Sequence, residues 1–274
     1  MSRPVLMLHG AFTGGWCFDE LAAIFRAAGY RTIVPDLPGH DRPWPLGPDP
    51  DLHRYGIGDY ADAMSAVLER LDEPPIVVGH SMGGLIGQML AARHAVSALV
   101  LLAPAAPWGI WPREGNEALG ALGLAVDSLV GSGIIAPDYR AVRHGVLDRF
   151  ARAERRALHA RFTCESALAL RQVLLWMMDP AGNSAVDHHR VKCPVLCLVG
   201  DSDRLVSPGT VRAVAYKYGA RAKFKLLRDH SHFLLGEPDW EEWVAYALDW
   251  LDTKGLGASP VGLADSKGRT ATGG

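Results

Sequence analysis

Residues 76–84 read Ile-Val-Val-Gly-His-Ser-Met-Gly-Gly and combine an apolar run with a serine set between glycines. The apolar residues are typical of a buried strand, and the segment that follows, Leu85–Leu90, has a helical pattern. Gly79 and Gly83 stand two residues on either side of Ser81, where a missing Cβ lets neighbouring backbone approach closely. A strand, a Gly-x-Ser-x-Gly turn and a helix together hold a serine hydroxyl on a strained turn above a sheet. We therefore predict that Ser81 is a nucleophile.

Short apolar runs along the chain predict the strands of one sheet. Each run is continuous rather than alternating, which is typical of parallel strands buried on both faces. Helical patterns separate the first four runs, at Phe18–Ala28, Ile57–Leu71 and Leu85–His94. This alternation predicts an α/β fold with a doubly wound, mostly parallel sheet. The runs are Val5–Leu8, Thr32–Val34, Ile76–Val78, Ala98–Leu102, Val195–Val199 and Phe224–Leu227.

The strand pattern stops between Pro104 and Val191, where only helical stretches occur. These stretches are Leu119–Leu129, Tyr139–Ala160 and Cys164–Met178. A helical segment of this length between late strands of one sheet predicts a cap over one edge. The end of the chain is rich in Gly, Ala, Ser and Thr and has no periodicity, which is typical of a flexible tail. We expect a core at 1–103 and 192–252, a helical cap at 104–191 and a tail at 253–274.

The composition limits the class of protein. The 274 residues allow one large α/β domain, and the 49% of apolar residues are enough for a sizeable core. A net charge of −2 gives no electrostatic reason to expect nucleic acid or an anionic membrane as a partner. The run Val5–Leu8 is too short for a signal-peptide core, and no stretch approaches the roughly 20 apolar residues of a membrane span. We expect a cytoplasmic protein, with buried free thiols at Cys193 and Cys197.

A serine nucleophile needs a base, and the base needs an acid to orient it. In proteins with this strand–turn–helix arrangement the acid and then the histidine follow the serine along the chain. The run that ends at Gly200 is followed by Asp201-Ser-Asp203. Asp203 is the favoured acid because the loop has advanced far enough to clear the strand end. Asp201 remains the alternative, although it also fits a turn-forming residue that bonds local backbone.

Two histidines compete for the role of the base. The last predicted strand is followed by Asp229-His-Ser-His232, so both His230 and His232 lie in the loop where the base is expected. His232 is favoured because it directly precedes Phe233 and the approach to a final amphipathic helix at Trp240–Leu251. His230 stays the alternative. The remaining histidines have no metal-ligand spacing, so we expect no metal.

Attack of a serine on a carbonyl creates an oxygen anion that needs two backbone donors. One donor is expected at Met82, the residue after the nucleophile. The other is expected at Ala11, which follows His9-Gly10 in a glycine-rich loop after the first strand. His9 and His80 are interpreted as structural side chains. Four aromatic residues near these positions or in the cap are candidate substrate contacts: Phe12, Trp108, Trp176 and Phe233.

The motifs together resemble the α/β-hydrolase superfamily, and the resemblance runs from about Pro4 to Leu251. The residues that carry it are His9-Gly10, Asp36-Leu-Pro-Gly-His40, Gly79-His-Ser-Met-Gly83, Gly200-Asp-Ser-Asp203 and His232-Phe233. The segment His9–Phe18 is similar to the methyl-esterase and hydroxynitrile-lyase-like branch, which implies small or medium ester substrates. Two features depart from that branch. The segment after His40 reads Asp41-Arg-Pro-Trp-Pro, and the histidine loop lacks the lysine that such lyases carry.

The resemblance implies a serine hydrolase of small carboxylic esters that works without a cofactor. Ser81, His232 and Asp203 would act as a triad through an acyl-enzyme. A lactonase, a thioesterase and a carbon–carbon bond hydrolase would use the same residues. A thioesterase would draw on a basic cap surface made by Arg152, Arg155, Arg156 and Arg161. A non-catalytic ligand-binding receptor on the same fold is the alternative of a different class, and very slow turnover despite tight binding would identify it.

Overall fold

The structure is a computed structural model that describes residues 2–115, 128–129 and 133–258. Its main sheet has six strands in the order β2-β1-β3-β4-β7-β8, and every neighbouring pair is parallel. This confirms the predicted fold class. The strands of this sheet are β1 (Pro4–Leu8), β2 (Arg31–Ile33), β3 (Ile76–His80), β4 (Ala98–Leu102), β7 (Val195–Gly200) and β8 (Ala222–Leu227).

Helices follow the strands and flank the sheet. The helices α1 to α3 alternate with the first four strands, and the last two helices follow β7 and β8. All residues of β1, β3, β4 and β7 are buried, whereas the edge strands β2 and β8 are partly exposed. Burial on both faces explains why the four central strands have continuous apolar sequences. The helices are α1 (Asp19–Ala27), α2 (Ile57–Leu68), α3 (Met82–Arg93), α7 (Pro208–Lys217) and α8 (Trp240–Thr253).

The segment between β4 and β7 contains helices α4 (Tyr139–Gly145), α5 (Arg152–Arg161) and α6 (Ala167–Leu174). The stretch expected to be one helix over Tyr139–Ala160 is two helices, since α4 ends at Gly145, a residue of low helix propensity, and α5 begins only at Arg152. The segment also contains two strands, β5 (Ile134–Ile135) and β6 (Glu165–Ser166), that pair antiparallel. No strand was predicted from the sequence in this segment. The predicted helix at Leu119–Leu129 lies almost wholly outside the described residues.

The core, cap and tail boundaries stay predictions. Of the expected tail, residues 259–274 lie outside the described part of the chain. Tyr30 donates a hydrogen bond from its hydroxyl to the carbonyl of Leu256, 3.2 Å away, just beyond the end of α8. Cys193 and Cys197 are buried and free, as predicted. Among the described helices none is both long and apolar enough to cross a bilayer.

The order of the strands brings distant loops together at one edge of the sheet. The chain reverses its winding direction between β1 and β3, and ligands bind at such switch points, beyond the carboxyl ends of the strands. Leu8 of β1 lies opposite Gly79 of β3, so the loops after these strands are neighbours. Gly200 of β7 lies opposite Leu227 of β8, so the loops that carry Asp203 and His232 are also neighbours.

Candidate active site

Ser81 occupies a sharp turn between β3 and α3. Its backbone has φ of 51° and ψ of −120°, a combination that L-residues rarely adopt. A Cβ on Gly79 would lie 2.4 Å from the carbonyl oxygen of Gly83, and one on Gly83 would lie 2.1 Å from the carbonyl oxygen of Leu8. Only glycine fits at these two positions. The Ser81 N–H donates to the carbonyl of Leu102 at 2.9 Å, which fixes the turn against the end of β4.

Ser81, His232 and Asp203 form a continuous hydrogen-bonded chain. The Ser81 Oγ lies 3.1 Å from Nε2 of His232, and the His232 Nδ1 lies 2.9 Å from Oδ2 of Asp203. The second carboxylate oxygen of Asp203 accepts hydrogen bonds from the backbone N–H groups of Leu205 and Val206 at 2.8 and 2.9 Å. The carboxylate is therefore held at both oxygens, and it faces the imidazole with Oδ2.

Asp201 and His230, the alternatives for the acid and the base, form hydrogen bonds with groups outside the Ser81–His232–Asp203 arrangement. Asp201 is exposed, and its Oδ1 accepts hydrogen bonds from the Asp229 N–H and the Ser202 hydroxyl, each at 3.1 Å. His230 is buried, but its Nδ1 lies 3.1 Å from a carboxylate oxygen of Glu237, which also accepts from the Ser231 N–H. Burial raises the pKa of Glu237, but hydrogen bonds from His230 and from the hydroxyl and N–H of Ser231 outweigh it, and the pKa is lowered. The Glu237 contacts thus fix the loop that precedes His232.

His9 and His80 are buried near the hydrogen-bonded side chains of Ser81, His232 and Asp203, and each ring forms a hydrogen bond with a backbone group. The Nε2 of His9 accepts a hydrogen bond from the Leu37 N–H at 2.9 Å, so this ring is neutral. The Nε2 of His80 lies 2.9 Å from the carbonyl of His232, and its Nδ1 is buried without a partner among the described residues. Burial, together with neighbouring histidines, lowers the pKa of each ring to about 3. These contacts fit the structural interpretation of both residues.

The two neutral histidines predict loss of stability in mild acid. An unfolded histidine takes up a proton near pH 6.5, whereas His9 and His80 do so only near pH 3. Because the folded pKa is lowered, the stabilisation is complete above pH 6.5 and is lost as the pH falls toward 3. Each ring then lowers the free energy of unfolding by up to about 1.4 kcal/mol per pH unit. Urea unfolding at pH 7, 6 and 5 measures this, and equal stabilities at the three values would contradict it.

The loop after β1 approaches Ser81 from the other side. A Cβ on Gly10 would lie 2.9 Å from the Cβ of Ser81, so this backbone touches the nucleophile. Phe12 has φ of 61°, and its N–H donates to a carboxylate oxygen of Glu165 at 3.3 Å. Within the described residues the N–H groups of Ala11 and Met82 have no hydrogen-bond acceptor. The two amides expected to bind an oxygen anion are thus unoccupied, whereas the Phe12 amide is engaged.

An apolar cavity of about 120 Å³ opens at Ser81 and His232. Its floor is the Ser81 turn with the loop after β1, and its roof comes from α4, α6 and Phe162 of the segment between β4 and β7. Phe12 and Phe233 line it, as expected from the sequence. The other apolar lining residues are Ala11, Met82, Ala105, Val142, Val146, Phe162, Leu170, Val173, Leu174, Leu205 and Val206.

Trp108 and Trp176, the other two predicted substrate contacts, are not among the described residues that line this cavity. Trp108 is 47% exposed and packs edge-on against Trp176, with ring centroids 5.2 Å apart. Trp111 packs on the other side of Trp176 at 4.8 Å. The three indoles form a cluster of their own beyond the cavity. Trp176 instead borders a neighbouring cavity of about 60 Å³, which shares Ala105 and Leu174, among other walls, with the first.

Glu165 was missed by the sequence interpretation. Its carboxylate is fully buried and lies 3.0 Å from Nε2 of His40 and 2.8 Å from the Tyr60 hydroxyl. Burial lowers the pKa of His40, but the charge and hydrogen bond of Glu165 outweigh it, and the pKa is raised. The available signal was a lone carboxylate within the apolar stretch Cys164–Met178. No group of three or more His, Cys, Asp or Glu side chains in the described ranges could hold a metal ion.

Known proteins similar to this chain include several esterases and hydrolases. A pyrethroid hydrolase from Sphingobium wenxiniae is 32% identical over 90 residues, which cover 33% of this chain and 31% of that protein. The match thus spans about a third of that relative. A pimeloyl-[acyl-carrier protein] methyl ester esterase from Chromobacterium violaceum is 29% identical over 262 residues, 89% of this chain and 94% of that protein.

A solved structure and a family comparison agree on the fold. The structure of a methylesterase from Arabidopsis superposes with a TM-score of 0.69 at 17% identity, covering 92% of this chain and 99% of the methylesterase. Identity this low establishes the shared fold alone. The model of the alpha/beta hydrolase family matches residues 5–245, close to the extent of the resemblance found in the motifs. The chain therefore belongs to the alpha/beta hydrolase family.

Proposed function

We propose that the protein is a serine hydrolase that cleaves small to medium apolar carboxylic esters. The observation that carries the proposal is the hydrogen-bonded chain Ser81–His232–Asp203 at the mouth of an apolar cavity. A base within hydrogen-bond reach, itself oriented by a carboxylate, is what a serine hydroxyl needs to become a nucleophile. The names of the relatives, a pyrethroid hydrolase and a methyl ester esterase, support the same class of reaction.

The reaction proceeds through an acyl-enzyme. His232 takes the proton of the Ser81 hydroxyl as Oγ attacks the ester carbonyl, and Asp203 stabilises the resulting imidazolium. The N–H groups of Ala11 and Met82 bind the oxygen anion of the tetrahedral intermediate. The intermediate collapses, and His232 returns the proton to the departing alcohol. A water molecule, deprotonated by His232, then attacks the acyl carbonyl and releases the acid and Ser81.

The cavity supports an apolar substrate of limited size. Its volume of about 120 Å³ is somewhat below that of the roughly 150 Å³ cavities known to hold one benzene molecule. A short acyl chain or one aromatic ring fits such a space. The thioesterase alternative gains little support from the arginines of α5. Arg155 donates to the carbonyls of Asp148 and Phe150, and Arg161 pairs with Asp19, so both guanidinium groups are already engaged.

The proposal is tested with a series of p-nitrophenyl esters from acetate to longer chains, hydrolysed by the wild type and by Ser81→Ala. We expect turnover by the wild type that is greatest for short chains and lost in the variant. A wild type inert toward all esters and thioesters, yet able to bind an apolar ligand, would overturn the hydrolase proposal in favour of a receptor or a lyase.

Leu174→Ala is expected to shift the preference toward longer acyl chains. Leu174 forms part of the wall shared by the cavity at Ser81 and the neighbouring cavity of about 60 Å³. Its truncation is expected to open a passage through this wall toward the neighbouring cavity. A change of one or two methylenes in an apolar pocket alters kcat/KM by about 10-fold or more. We therefore expect the ratio of octanoate to butyrate hydrolysis to rise about 10-fold.

The control for this variant is Met178→Ala, which truncates a side chain that is 69% exposed in the same segment. It is expected to keep the wild-type ratio. If Leu174→Ala also kept that ratio, or if both variants changed it equally, the assignment of this cavity to the acyl group would be wrong.

A further inference from the structure

Residues 163–165 bind the loop after β1 on both sides of Phe12. The Thr163 N–H donates to the carbonyl of Phe12 at 2.8 Å, and the Thr163 hydroxyl donates to the carbonyl of Thr13 at 3.2 Å. The Phe12 N–H donates to Glu165 at 3.3 Å. Phe12 is a non-glycine residue with φ of 61°, a conformation that persists only where the surroundings hold it. The three hydrogen bonds hold Phe12 in this conformation, and their partners lie about 150 residues away in the sequence.

Glu165 is the most constrained part of this contact. Its Oε2 faces the Phe12 N–H and Nε2 of His40, and its Oε1 accepts from the Tyr60 hydroxyl at 2.8 Å and the Ser166 N–H at 2.7 Å. The side chains of Glu165 and His40 are fully buried. A buried carboxylate with donors on both oxygens has no freedom to turn. The position of the Phe12 amide is therefore fixed by a side chain that is itself held by His40, by Tyr60 of α2 and by the backbone N–H of the neighbouring Ser166.

The net charge of the His40–Glu165 pair is compatible with a neighbouring site that develops negative charge during the reaction. An unpaired carboxylate this close to the Ser81 turn would oppose an oxygen anion. His40 lies 3.0 Å from Glu165, and its other ring nitrogen, Nδ1, lies 3.1 Å from the carbonyl of Pro38. Both ring nitrogens thus face acceptors, which is the arrangement of a protonated ring. The His40–Glu165 pair is neutral as a unit, so it orients the loop without repelling the anion.

We infer that Glu165 is a positioning residue for ester hydrolysis. By holding the Phe12 N–H away from Ser81, it leaves the preceding amide, that of Ala11, directed at the oxygen anion. Glu165 does not touch the substrate, and its effect passes through the loop. The inference rests on the proposed function, because it requires that the Ala11 amide serve as a donor in the transition state. It also gives the residues after α5 a role in the chemistry as well as in covering the cavity.

Glu165→Gln tests this inference. A glutamine has one oxygen and one NH₂ group, so in either orientation a backbone N–H, that of Ser166 or that of Phe12, faces the NH₂ group and loses its acceptor. We expect kcat for a p-nitrophenyl ester to fall about 10- to 100-fold, somewhat less than the full loss of an oxyanion donor. KM is expected to stay within about twofold, because an oxyanion donor acts in the transition state more than in the ground state.

A second readout is the affinity for an aryl trifluoromethyl ketone. Ser81 Oγ bonds to its carbonyl carbon, the carbonyl π bond breaks, the hydroxyl proton moves to His232, and the oxygen becomes an anion held by the two amides. We expect its inhibition constant to rise by the same factor as kcat falls. Glu154→Gln is the matched control, because it makes the same chemical change in an exposed carboxylate that accepts from the Ala151 N–H and does not contact the loop after β1. It is expected to keep the wild-type melting temperature, kcat and inhibition constant.

The outcomes are distinct. Wild-type kcat in Glu165→Gln, or equal losses of kcat in Glu165→Gln and Glu154→Gln, would overturn the inference. If Glu165→Gln does not fold, Glu165→Asp takes its place, because it keeps the charge but cannot reach all four donors, and the same loss of kcat is expected. Failure of the proposed function would look different, since the wild type itself would neither hydrolyse esters nor bind the ketone.

Discussion

Ser81→Ala is expected to lower kcat/KM for a short p-nitrophenyl ester by about 10⁵-fold. Loss of the nucleophile in a serine hydrolase triad costs about 10⁶-fold, and the oxyanion donors and binding leave a residual rate above that in water. Here the proposed donors, the Ala11 and Met82 amides, belong to the backbone and are expected to survive the substitution. Alanine keeps the backbone N–H that donates to Leu102 in the wild type, so we expect the turn to be retained.

Ser97→Ala is the control, because Ser97 lies away from the cavity and donates to the carbonyl of Pro74. Its kcat/KM is expected to equal that of the wild type. Circular dichroism and the melting temperature would establish that both variants are folded. If Ser81→Ala retained more than about a hundredth of the activity, the nucleophile would have to be another group, since the residual rate left by a disabled triad is far smaller.

The sequence was enough to predict the parts of the site that depend on local patterns. The Ser81 turn follows from three glycines and an apolar run within nine residues, and each of these features is local. The continuous apolar runs predicted the central strands, because strands buried on both faces have no polar side. Asp203 and His232 could be placed because each follows a predicted strand, and the parallel sheet then brings the ends of β7 and β8 together.

What the sequence could not show depends on packing between distant segments. Glu165 binds residues that are 153, 125 and 105 positions away, and nothing near it in the sequence indicates those partners. Trp108 and Trp176 were assigned to the cavity on residue type alone. In the structure the rings of Trp108 and Trp111 both pack edge-on against Trp176, an arrangement that aromatic side chains favour in the absence of any ligand.

Asp203→Asn is expected to lower kcat about 10⁴-fold while KM stays close to that of the wild type. The Leu205 and Val206 N–H groups bind Oδ1 of Asp203, so the asparagine oxygen will take that position and its NH₂ group will face Nδ1 of His232. Nδ1 must then act as an acceptor, which leaves the ring proton on Nε2, facing the Ser81 hydroxyl. A histidine in that tautomer cannot accept the serine proton, and the same change in a related triad has an effect of this size.

The chain offers its own control two residues away. Asp201→Asn makes the same chemical change in a carboxylate that accepts from the Asp229 N–H and the Ser202 hydroxyl at the surface. An asparagine oxygen can accept both of these hydrogen bonds, so kcat is expected to stay within about twofold of the wild type. Measured side by side, the two variants decide between the carboxylates that the sequence left open. A 10⁴-fold loss in Asp201→Asn with an active Asp203→Asn would reverse the assignment, and it would mean that the loop after β7 rearranges before the reaction.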